Sequence, residues 1–253
     1  MNTSPERRTY KMTIAYDGTN YCGWQIQPNG ISIQELIQKA MATILRKEIT
    51  IIASGRTDAG VHALGQIAHF HYTEPLDAYR LQGSLNSLLP VDIRIHNIVE
   101  APANFHAQHS PVGKTYHYNV HLDRVQDPFQ RLYCLHVKEK IDLNILREAA
   151  KIFVGTHDFT SFANEAYKGS AAKDPVRTLR RLDIIDQPGG IRFELEADGF
   201  LYKMVRNIVG TLLECAAGKH SIYQVREMLA AKDRRVSGMA APPQGLFLVF
   251  VDY

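Results

Sequence analysis

An α+β fold made of two related ferredoxin-like halves, with largely antiparallel sheets joined around a central cleft, is what this sequence predicts. Its 253 residues suffice for two half-size domains with a substantial core. The first half has the strand–helix–strand–strand–helix–strand order of a split βαβ unit. The second half begins like the first, because RTYKMTIAYD (8–17) and KTYHYNVHLD (114–123) both start with a basic residue, Thr and Tyr and end with Asp.

The first half opens with YKMTIAY (10–16), whose β-branched and aromatic residues predict a strand. Ser32 stands three residues before Glu35, the spacing of a helix capping box. The helix that follows presents apolar residues at helical spacing. These residues are Leu36, Ile37, Ala40, Met41, Ile44 and Leu45. The sequence therefore predicts a strand followed by a helix that packs on the sheet.

The remaining elements follow from alternation, helical spacing and breaker residues. In the first half we predict strands at 49–54, 64–72 and 92–99 and a helix at 77–88 that ends before Pro90. In the second half we predict a strand at 114–118, helices at 142–154, 200–217 and 221–231, and strands at 181–187, 191–198 and 246–252. The predicted domains are 1–105 and 106–253.

Composition is that of a soluble globular protein, with 45% hydrophobic and 22% charged residues. No apolar run is long enough to span a bilayer, and the polar start MNTSPERRTYKM lacks the apolar segment of a signal peptide. We therefore expect a cytoplasmic protein without a membrane partner. Cys22, Cys134 and Cys215 lack metal-like or redox-like spacing, so we expect small buried hydrophobes.

The formal net charge of +3 is mild and does not by itself indicate a nucleic-acid partner. Basic residues do occur in pairs, at Arg7-Arg8, Arg180-Arg181 and Arg234-Arg235. Each pair has two interpretations, a solvated face or a phosphate contact. Together they permit a basic groove.

The stretch GRTDAGVHALGQIAHF (55–70) places Arg, Thr and Asp between two glycines, ahead of a strand-like run. Gly55 and Gly60 tolerate backbone angles that other residues resist, so this loop can present Arg56 and Asp58 into a cleft. A carboxylate can act as a covalent nucleophile, and a nearby cation keeps it ionised. The alternative is that Asp58 only makes the turn.

A candidate cation lies in GFLYKMVRNIVG (199–210), where apolar residues form a buried stripe on a helix. The stripe consists of Leu201, Met204, Val205, Ile208, Val209 and Leu212. Arg206 falls at the edge of this stripe, and Gly210 one turn later leaves room for another backbone. The alternative for Arg206 is a solvated helix arginine.

The strand KTYHY (114–118) alternates its faces, so Tyr116 and Tyr118 point one way and His117 the other. Tyr116 is either part of the core or a stacking surface for a nucleobase. Among the 11 histidines, His69 and His71 share one strand face. They suggest a metal site only weakly, because a third ligand is not evident.

Taken together and in order along the chain, these motifs resemble the TruA family of tRNA pseudouridine synthases. The matching pieces are YDGTNYCGWQ (16–25), GRTDAGVHALGQIAHF (55–70), NSLLPVDIRI (86–95), FHA (105–107), KTYHY (114–118), DFTSF (158–162), FLYKMVRNIVG (200–210), LAAKDR (229–234) and QGLFLVFVDY (244–253). GRTDAGVHA together with KMVRNIVG carries most of the specificity. The resemblance covers nearly the whole chain.

The resemblance implies that uridine is isomerised to pseudouridine in the anticodon stem-loop of tRNA, around positions 38–40. The base is detached from the ribose at N1, turned, and reattached through C5. No cofactor, metal or ATP is implied. The resemblance also implies a homodimer, in which one subunit holds the tRNA while the other carries out the chemistry in the central cleft.

Five residues acquire expected roles from the resemblance. Asp58 matches the family nucleophile, and Arg206 matches the arginine that pairs with it. Tyr116 matches the tyrosine that stacks on the uracil and helps to remove the C5 proton. Arg56 matches the arginine that helps to flip the base, and Leu246 matches a position lining the pocket near the base.

Two positions depart from the family pattern. Gln108 stands where the family often has Arg after the FHA triplet, so another contact has to replace that arginine if it grips RNA. His117 also stands where related sequences often have Arg, which softens the local positive charge.

The sequence leaves the chemical step open: Asp58 attacks ribose C1′, attacks uracil C6, or removes a sugar proton. It disfavours simple glycoside hydrolysis, which usually uses two carboxylates, because no second acid accompanies the Asp58 loop. Two other functions remain as alternatives, an RNA-binding module without catalysis and a metal-dependent hydrolase using Asp58 and the histidines.

Overall fold

A computed structural model describes residues 7–164 and 174–253 of the chain. These residues form ten strands and five α-helices. The strands are β1 (Arg8–Tyr16), β2 (Ile52–Ala53), β3 (His62–Tyr72), β4 (Ile93–Ala101), β5 (Gly113–His121), β6 (Leu135–His136), β7 (Gly155–Asp158), β8 (Val176–Gln187), β9 (Gly190–Ala197) and β10 (Leu246–Asp252). The helices are α1 (Ile33–Leu45), α2 (Ala78–Leu88), α3 (Leu143–Ala150), α4 (Met204–Ala216) and α5 (Ile222–Ala231). The predicted α+β class with mostly antiparallel pairing is confirmed.

Several element boundaries differ from the prediction; β8 begins at Val176 rather than at 181, and β5 extends to His121 rather than to 118. The strand predicted at 49–54 shrinks to the two residues of β2. The helix predicted at 142–154 ends at Ala150 and continues as a 3-10 turn. Helix α4 begins at Met204 rather than at 200, because Lys203 takes a left-handed conformation with φ of 60°. The short strands β6 and β7 were not predicted.

The described chain divides into two compact units. Of the described residues, unit 1 comprises 7–111 and 248–253, and unit 2 comprises 112–164 and 174–247. In unit 1 the strand order is β4-β1-β3-β10, and β2 pairs with Ala68 and His69 of β3 on the edge opposite β1. The pairs β1·β3, β1·β4 and β2·β3 are all antiparallel. Helix α1 thus connects β1 to β2, and β3 lies between these two strands in the sheet.

One face of the unit 1 sheet forms its core. Tyr10, Met12 and Ile14 of β1 are buried, and so are Phe70 of β3 and Ile95 of β4. Tyr10 and Phe70 stack with ring centroids 5.3 Å apart. Helices α1 and α2 contribute further apolar residues to the buried set, namely Ile33, Ile37, Met41, Leu81 and Leu85. Burial of these side chains is the main stabilising contribution to the unit.

Both helices of unit 1 begin where the sequence predicts. Ser32 caps α1, and its hydroxyl accepts a hydrogen bond from Glu35 N at 3.3 Å. Asp77 caps α2 in the same way by accepting from Arg80 N at 3.0 Å. Such caps satisfy backbone N–H groups that have no partner inside the helix.

Unit 2 contains the strand order β5-β9-β8-β7, with β6 paired to β5. The β5·β9, β8·β9 and β7·β8 pairs are antiparallel, and β5·β6 is parallel. Helix α4 is buried almost all round; all six residues of the predicted stripe are buried, which confirms that prediction. Ser221 starts α5 with a capping box completed by Gln224.

No helix in residues 7–164 and 174–253 combines the length and the apolar character needed to cross a bilayer. Two finer predictions stay predictions: that both halves are ferredoxin-like and related, with sheets joined around a cleft, and that the domains run from 1 to 105 and from 106 to 253.

Candidate active site

Thr57 anchors the loop that carries Asp58. Its side chain is buried, and its hydroxyl shares a hydrogen bond of 2.8 Å with the phenol of Tyr16. The carbonyl of Thr57 accepts from Trp24 N at 3.1 Å. Because successive side chains of an extended loop point in different directions, a buried Thr57 leaves its neighbours facing outward. Asp58 is half-buried and Arg56 is exposed.

Two glycines of the preceding segment let the backbone approach this loop. A side chain at Gly23, which has φ of 89°, would place Cβ 2.5 Å from Thr57 O. A side chain at Gly18 would place Cβ 2.0 Å from Val61 O. No Cβ occupies such a position, so YDGTNYCGWQ and GRTDAGVHA pack backbone to backbone. Of the two glycines predicted to permit unusual angles, Gly60 has φ of 76°, whereas Gly55 has no positive φ.

A buried polar network, which the sequence did not predict, supports the loop from β3. Gln66 is fully buried and accepts from Ser54 Oγ at 2.8 Å. Its amide donates to Gly55 O at 3.0 Å, and it lies 3.5 Å from the Tyr16 hydroxyl. Burial raises the pKa of Tyr16 to about 12, so this phenol stays protonated and structural. The network thus holds the backbone that leads into the loop at Ser54 and Gly55.

Arg206 in unit 2 is half-buried and held by the backbone that passes along α4. Its Nε donates to Ala241 O at 2.7 Å, and Ala241 N donates back to Arg206 O at 2.9 Å. The guanidinium also lies close enough to Tyr118 to lower the pKa of that phenol, although burial has the larger effect and raises it. The hydrogen bond from Nε to Ala241 O orients the Arg206 side chain, while its interpretation as a paired or as a solvated arginine stays a prediction.

Gly210 has the role predicted for it, because the 239–241 backbone crosses α4 at this glycine. A Cβ there would lie 1.8 Å from Met239 O and 3.0 Å from Ala241 N. Nearby, Gly238 N donates to Thr211 Oγ1 at 3.0 Å. The absence of a side chain at Gly210 thus lets this segment reach Arg206.

Gly210→Ala is expected to lower the free energy of unfolding by about 1–3 kcal/mol, because the added methyl group overpacks the crossing and pushes the segment away. Thermal or urea unfolding measures the effect. Gly83→Ala is the matched control, since Gly83 lies in α2 with nothing within 4 Å of a Cβ. That control should be neutral or stabilising, by up to about 1 kcal/mol. Equal effects at the two glycines would contradict the crossing argument.

Tyr116 and Tyr118 lie on β5 and differ in burial. Tyr118 is fully buried, and its hydroxyl donates to Pro242 O at 2.7 Å. Tyr116 is half-buried, with its ring edge-to-face against Phe200 at 5.0 Å between centroids. Lys114 precedes them on the strand, and burial lowers the pKa of its amine to about 8. Tyr118 is thus a core residue, whereas Tyr116 has a partly accessible ring.

Leu246 is buried at the start of β10. The preceding Gly245 packs against Tyr118, because a Cβ there would lie 2.8 Å from both the Tyr118 ring and Asn119 O. This close approach places Leu246 beside the strand that carries Tyr116 and Tyr118. Within unit 2, Tyr118 therefore lies near Arg206 and also packs against Gly245, the residue before Leu246.

Asn207 and Arg234 form a second polar network that sequence reasoning missed. Asn207, next to Arg206, is fully buried and donates to Phe162 O at 2.7 Å. Arg234 donates to Asn207 Oδ1 at 2.9 Å and to Ser237 Oγ at 2.7 Å. Both residues belong to motifs quoted for the family resemblance, and an asparagine inside an apolar helix is the feature that could have revealed them.

The paired arginines make internal contacts. Arg8 pairs with Glu100 at 3.3 Å, and Arg235 contacts Asp233 at 2.6 Å. Arg181 contacts Glu194 at 2.7 Å, and His117 lies 3.7 Å from the same carboxylate. Arg181 and Arg192 supply the positive charge around His117. Hydrogen bonds from these two arginines also lower the pKa of Glu194.

His69 and His71 share one face of β3 as predicted, with ring centroids 5.2 Å apart. His62 is buried elsewhere and accepts from Gly18 N at 3.1 Å. Within residues 7–164 and 174–253, no three His, Cys, Asp or Glu side chains are grouped so that they could hold a metal ion.

The structure describes Asp58 and Arg56 in unit 1, and Tyr116, Arg206 and Leu246 in unit 2. Each unit thus carries part of the predicted site. The pairing of Asp58 with Arg206 stays a prediction.

Comparison with known proteins finds a family model and several relatives that match most of the chain and share one description. A family model described as tRNA pseudouridine synthase matches residues 12–110 and 149–253. A protein of Protochlamydia amoebophila named tRNA pseudouridine synthase A 1 is 60% identical over 245 residues, which cover 96% of each chain. Proteins named tRNA pseudouridine synthase A are 46% identical in Chlamydia muridarum (96% of this chain, 91% of that one) and 43% identical in an Exiguobacterium strain (97% and 98%).

Proposed function

Because the chain belongs to the tRNA pseudouridine synthase family, we propose that it acts on uridines of the anticodon stem-loop, around positions 38–40, with Asp58 as nucleophile. The protein is an isomerase that converts uridine to pseudouridine in tRNA. The observation that supports the role of Asp58 best is its position: a half-buried carboxylate directly follows the buried anchor Thr57.

The proposed reaction keeps the leaving base and reuses it. The N1–C1′ bond breaks, the uracil turns, a C5–C1′ bond forms, and the C5 proton is lost while N1 gains one. The first step begins with Asp58 attacking C1′, attacking C6, or removing a sugar proton. Because no water is consumed, a single carboxylate suffices, in contrast to glycoside hydrolysis with its paired acids.

Arg206 is proposed to keep Asp58 ionised. An opposite charge within a few ångströms stabilises a carboxylate against protonation, and the fixed guanidinium of Arg206 loses little side-chain entropy on pairing. The hydrogen bond from Nε to Ala241 O supports this role, since it orients the side chain without neutralising its charge.

The target base has to leave the stem before the chemistry begins, because a stacked base hides the sugar–base bond. Flipping costs a few kcal/mol, and stacking on Tyr116 offsets roughly 1–3 kcal/mol of this. We assign Arg56 to the space that the flipped base leaves in the stem, which suits the exposed position of this arginine. Leu246 is assigned to the apolar wall near the base.

Tyr116→Phe tests the hydroxyl separately from the ring. The ring contact with Phe200 persists in this variant, so we expect tRNA affinity to be kept and turnover to fall by about 10²-fold or more if the hydroxyl takes part in proton transfer. Tyr116→Ala should weaken both. Single-turnover rates and filter binding measure the two effects, with Tyr223→Phe, at an exposed tyrosine of α5, as control. Unchanged turnover in Tyr116→Phe would leave only the stacking role.

Release of tritium from tRNA labelled at uridine C5 tests the function directly, because C5 loses its hydrogen only when the new bond forms. Mapping pseudouridine in the product then tests positions 38–40. Absence of tritium release would overturn the proposal, and modification confined to another part of the tRNA would overturn the anticodon assignment.

The same assay separates this function from its rivals. Full activity in excess chelator excludes a metal-dependent hydrolase, and free uracil in the product would support hydrolysis. An RNA-binding module would bind tRNA with a similar salt dependence but would release no tritium. We further propose a cytoplasmic homodimer, which light scattering and cell fractionation test.

A further inference from the structure

Four histidines form a connected cluster in unit 1 that the reaction does not use. His69 lies 4.7 Å from His106 between ring centroids, and His106 stacks on His109 at 4.2 Å. His71 completes the cluster at 5.2 Å from His69. Burial decreases from His69, which is buried, through the half-buried His71 and His106 to the exposed His109. The cluster thus runs from the sheet to the surface.

Backbone contacts hold the cluster in place. Ala107 N donates to His69 Nδ1 at 3.1 Å, and the Ala107 carbonyl accepts from the Tyr253 hydroxyl at 2.9 Å. Gln108 N donates to His106 Nδ1 at 3.2 Å. The 105–110 segment is therefore fastened to the side of the sheet that carries His69.

These contacts decide the tautomers. Since Nδ1 of His69 and of His106 accepts a backbone N–H, each neutral ring carries its proton on Nε2. His69 Nε2 is buried without a hydrogen bond of normal geometry within the described residues, although the Ile52 backbone lies close enough to raise the pKa of the ring. An N–H group on the half-buried His106 suits a ligand with acceptor oxygens. It does not suit a metal ion, which needs an unprotonated nitrogen.

The charges around the cluster are positive or mutually compensated. Lys11 lies opposite His69 in the β1·β3 register, with Nζ 5.8 Å from the ring centroids of both Phe105 and Tyr253. Burial lowers the pKa of His71, and Arg7 is close enough to lower it further. On β4, Glu100 contacts Arg8 at 3.3 Å. On β1, Thr9 Oγ1 contacts His71 Nδ1 at 3.0 Å.

We propose that the cluster of His69, His71, His106 and His109, with Arg7 and Lys11, is a proton-linked site for a backbone phosphate of tRNA. This inference rests on the proposed function and supplies an RNA contact next to Gln108, where the family often has arginine. In the free protein the pKa values of His69, His71 and His106 are lowered, mainly by burial, which favours the neutral rings. An arriving phosphate offsets the repulsion that a proton on one of these three rings would meet from Arg7 and Lys11.

The pH dependence follows from this arrangement. In the free protein, burial lowers the pKa of His69 to about 4, helped by His106, His71 and Arg7 against a raising contribution from the Ile52 backbone. Burial also lowers the pKa of His106. A bound phosphate raises these values, so the complex holds more protons than the free protein at intermediate pH. Affinity for tRNA therefore rises as pH falls and is lost as pH rises.

The test is tRNA affinity by filter binding at pH 6, 7 and 8 and constant ionic strength. Wild-type affinity should fall about fivefold or more from pH 6 to pH 8, within the limit of about tenfold per pH unit for one linked proton. His109→Gln and His106→Gln should remove most of this dependence. His96→Gln, at an exposed histidine of β4, is the matched control and should keep it.

Two further readouts make the outcome decisive. At saturating tRNA the His109→Gln variant should keep the wild-type kcat, and its higher KM at pH 6 should account for the loss. Inorganic phosphate added to the free protein should shift the imidazole nitrogen resonances of His106 and His109. A pH dependence that both variants retain would overturn the inference while wild-type tritium release still supports the enzyme. Phosphate shifts without any effect on tRNA affinity would show a site for free phosphate and overturn the RNA assignment.

Discussion

Asp58→Ala is expected to reduce pseudouridine formation by at least about 10³-fold while tRNA affinity stays within about threefold of wild type. Removing a nucleophile removes the reaction path, whereas removing one negative charge from an RNA-binding surface does not weaken phosphate contacts. The fold should persist, because the buried contacts of Thr57 with Tyr16 and Trp24 hold the loop and do not involve the Asp58 side chain. Tritium release gives the rate and filter binding gives the affinity.

The isosteric Asp58→Asn variant separates charge from size and should be equally inactive. Asp252→Asn, at an exposed residue of β10, is the matched control and should keep wild-type turnover. Near-normal activity of Asp58→Ala would remove the nucleophile assignment. It would also restore the turn-forming alternative for this residue.

Arg206→Ala is expected to lower both turnover and stability. Turnover should fall by about 10²–10³-fold, the usual cost of removing a preorganised charged donor from an active site. The free energy of unfolding should fall by about 1.5–3 kcal/mol, since the hydrogen bond of the charged Nε to Ala241 O is lost. Urea unfolding and single-turnover rates, measured well below the melting temperature, separate the two effects.

Arg206→Lys is the informative companion. Lysine restores the positive charge but not the planar donor that bonds to Ala241, so the variant should regain part of the turnover and little of the stability. Arg226→Ala removes an exposed helix arginine from α5 and should change neither quantity. Turnover of Arg206→Ala within threefold of wild type would show that Asp58 stays ionised without it.

The sequence predicted the local structure well where one property dominates. Alternating faces and helical spacing located β1, β3, β10, α2 and α5. Ser32 marked a helix start, because a capping hydroxyl acts within one turn. Predictions failed where a single backbone angle decided the start of a helix. Lys203 has a left-handed conformation, so α4 begins at Met204 rather than at 200.

The candidate site shows the same division. The motifs identified the family and the residue types Asp58, Arg206 and Tyr116. They did not reveal the support for these residues, because Thr57 bonds to Tyr16 and Arg206 to Ala241 across 41 and 35 positions. Gln66, Asn207 and Arg234 were missed for the same reason: a buried polar residue has meaning only through partners that are distant in the chain.

By itself, then, the sequence determined the α+β class, most element positions, the family and the candidate site residues, since these depend on local spacing and on motif identity. Only the tertiary structure decided which residues are held and which are exposed: Thr57 buried beneath Asp58, the 239–241 backbone crossing at Gly210, and the histidine cluster beside Gln108. These depend on close packing between segments far apart in sequence, and no local pattern records which distant atoms will fill a given space.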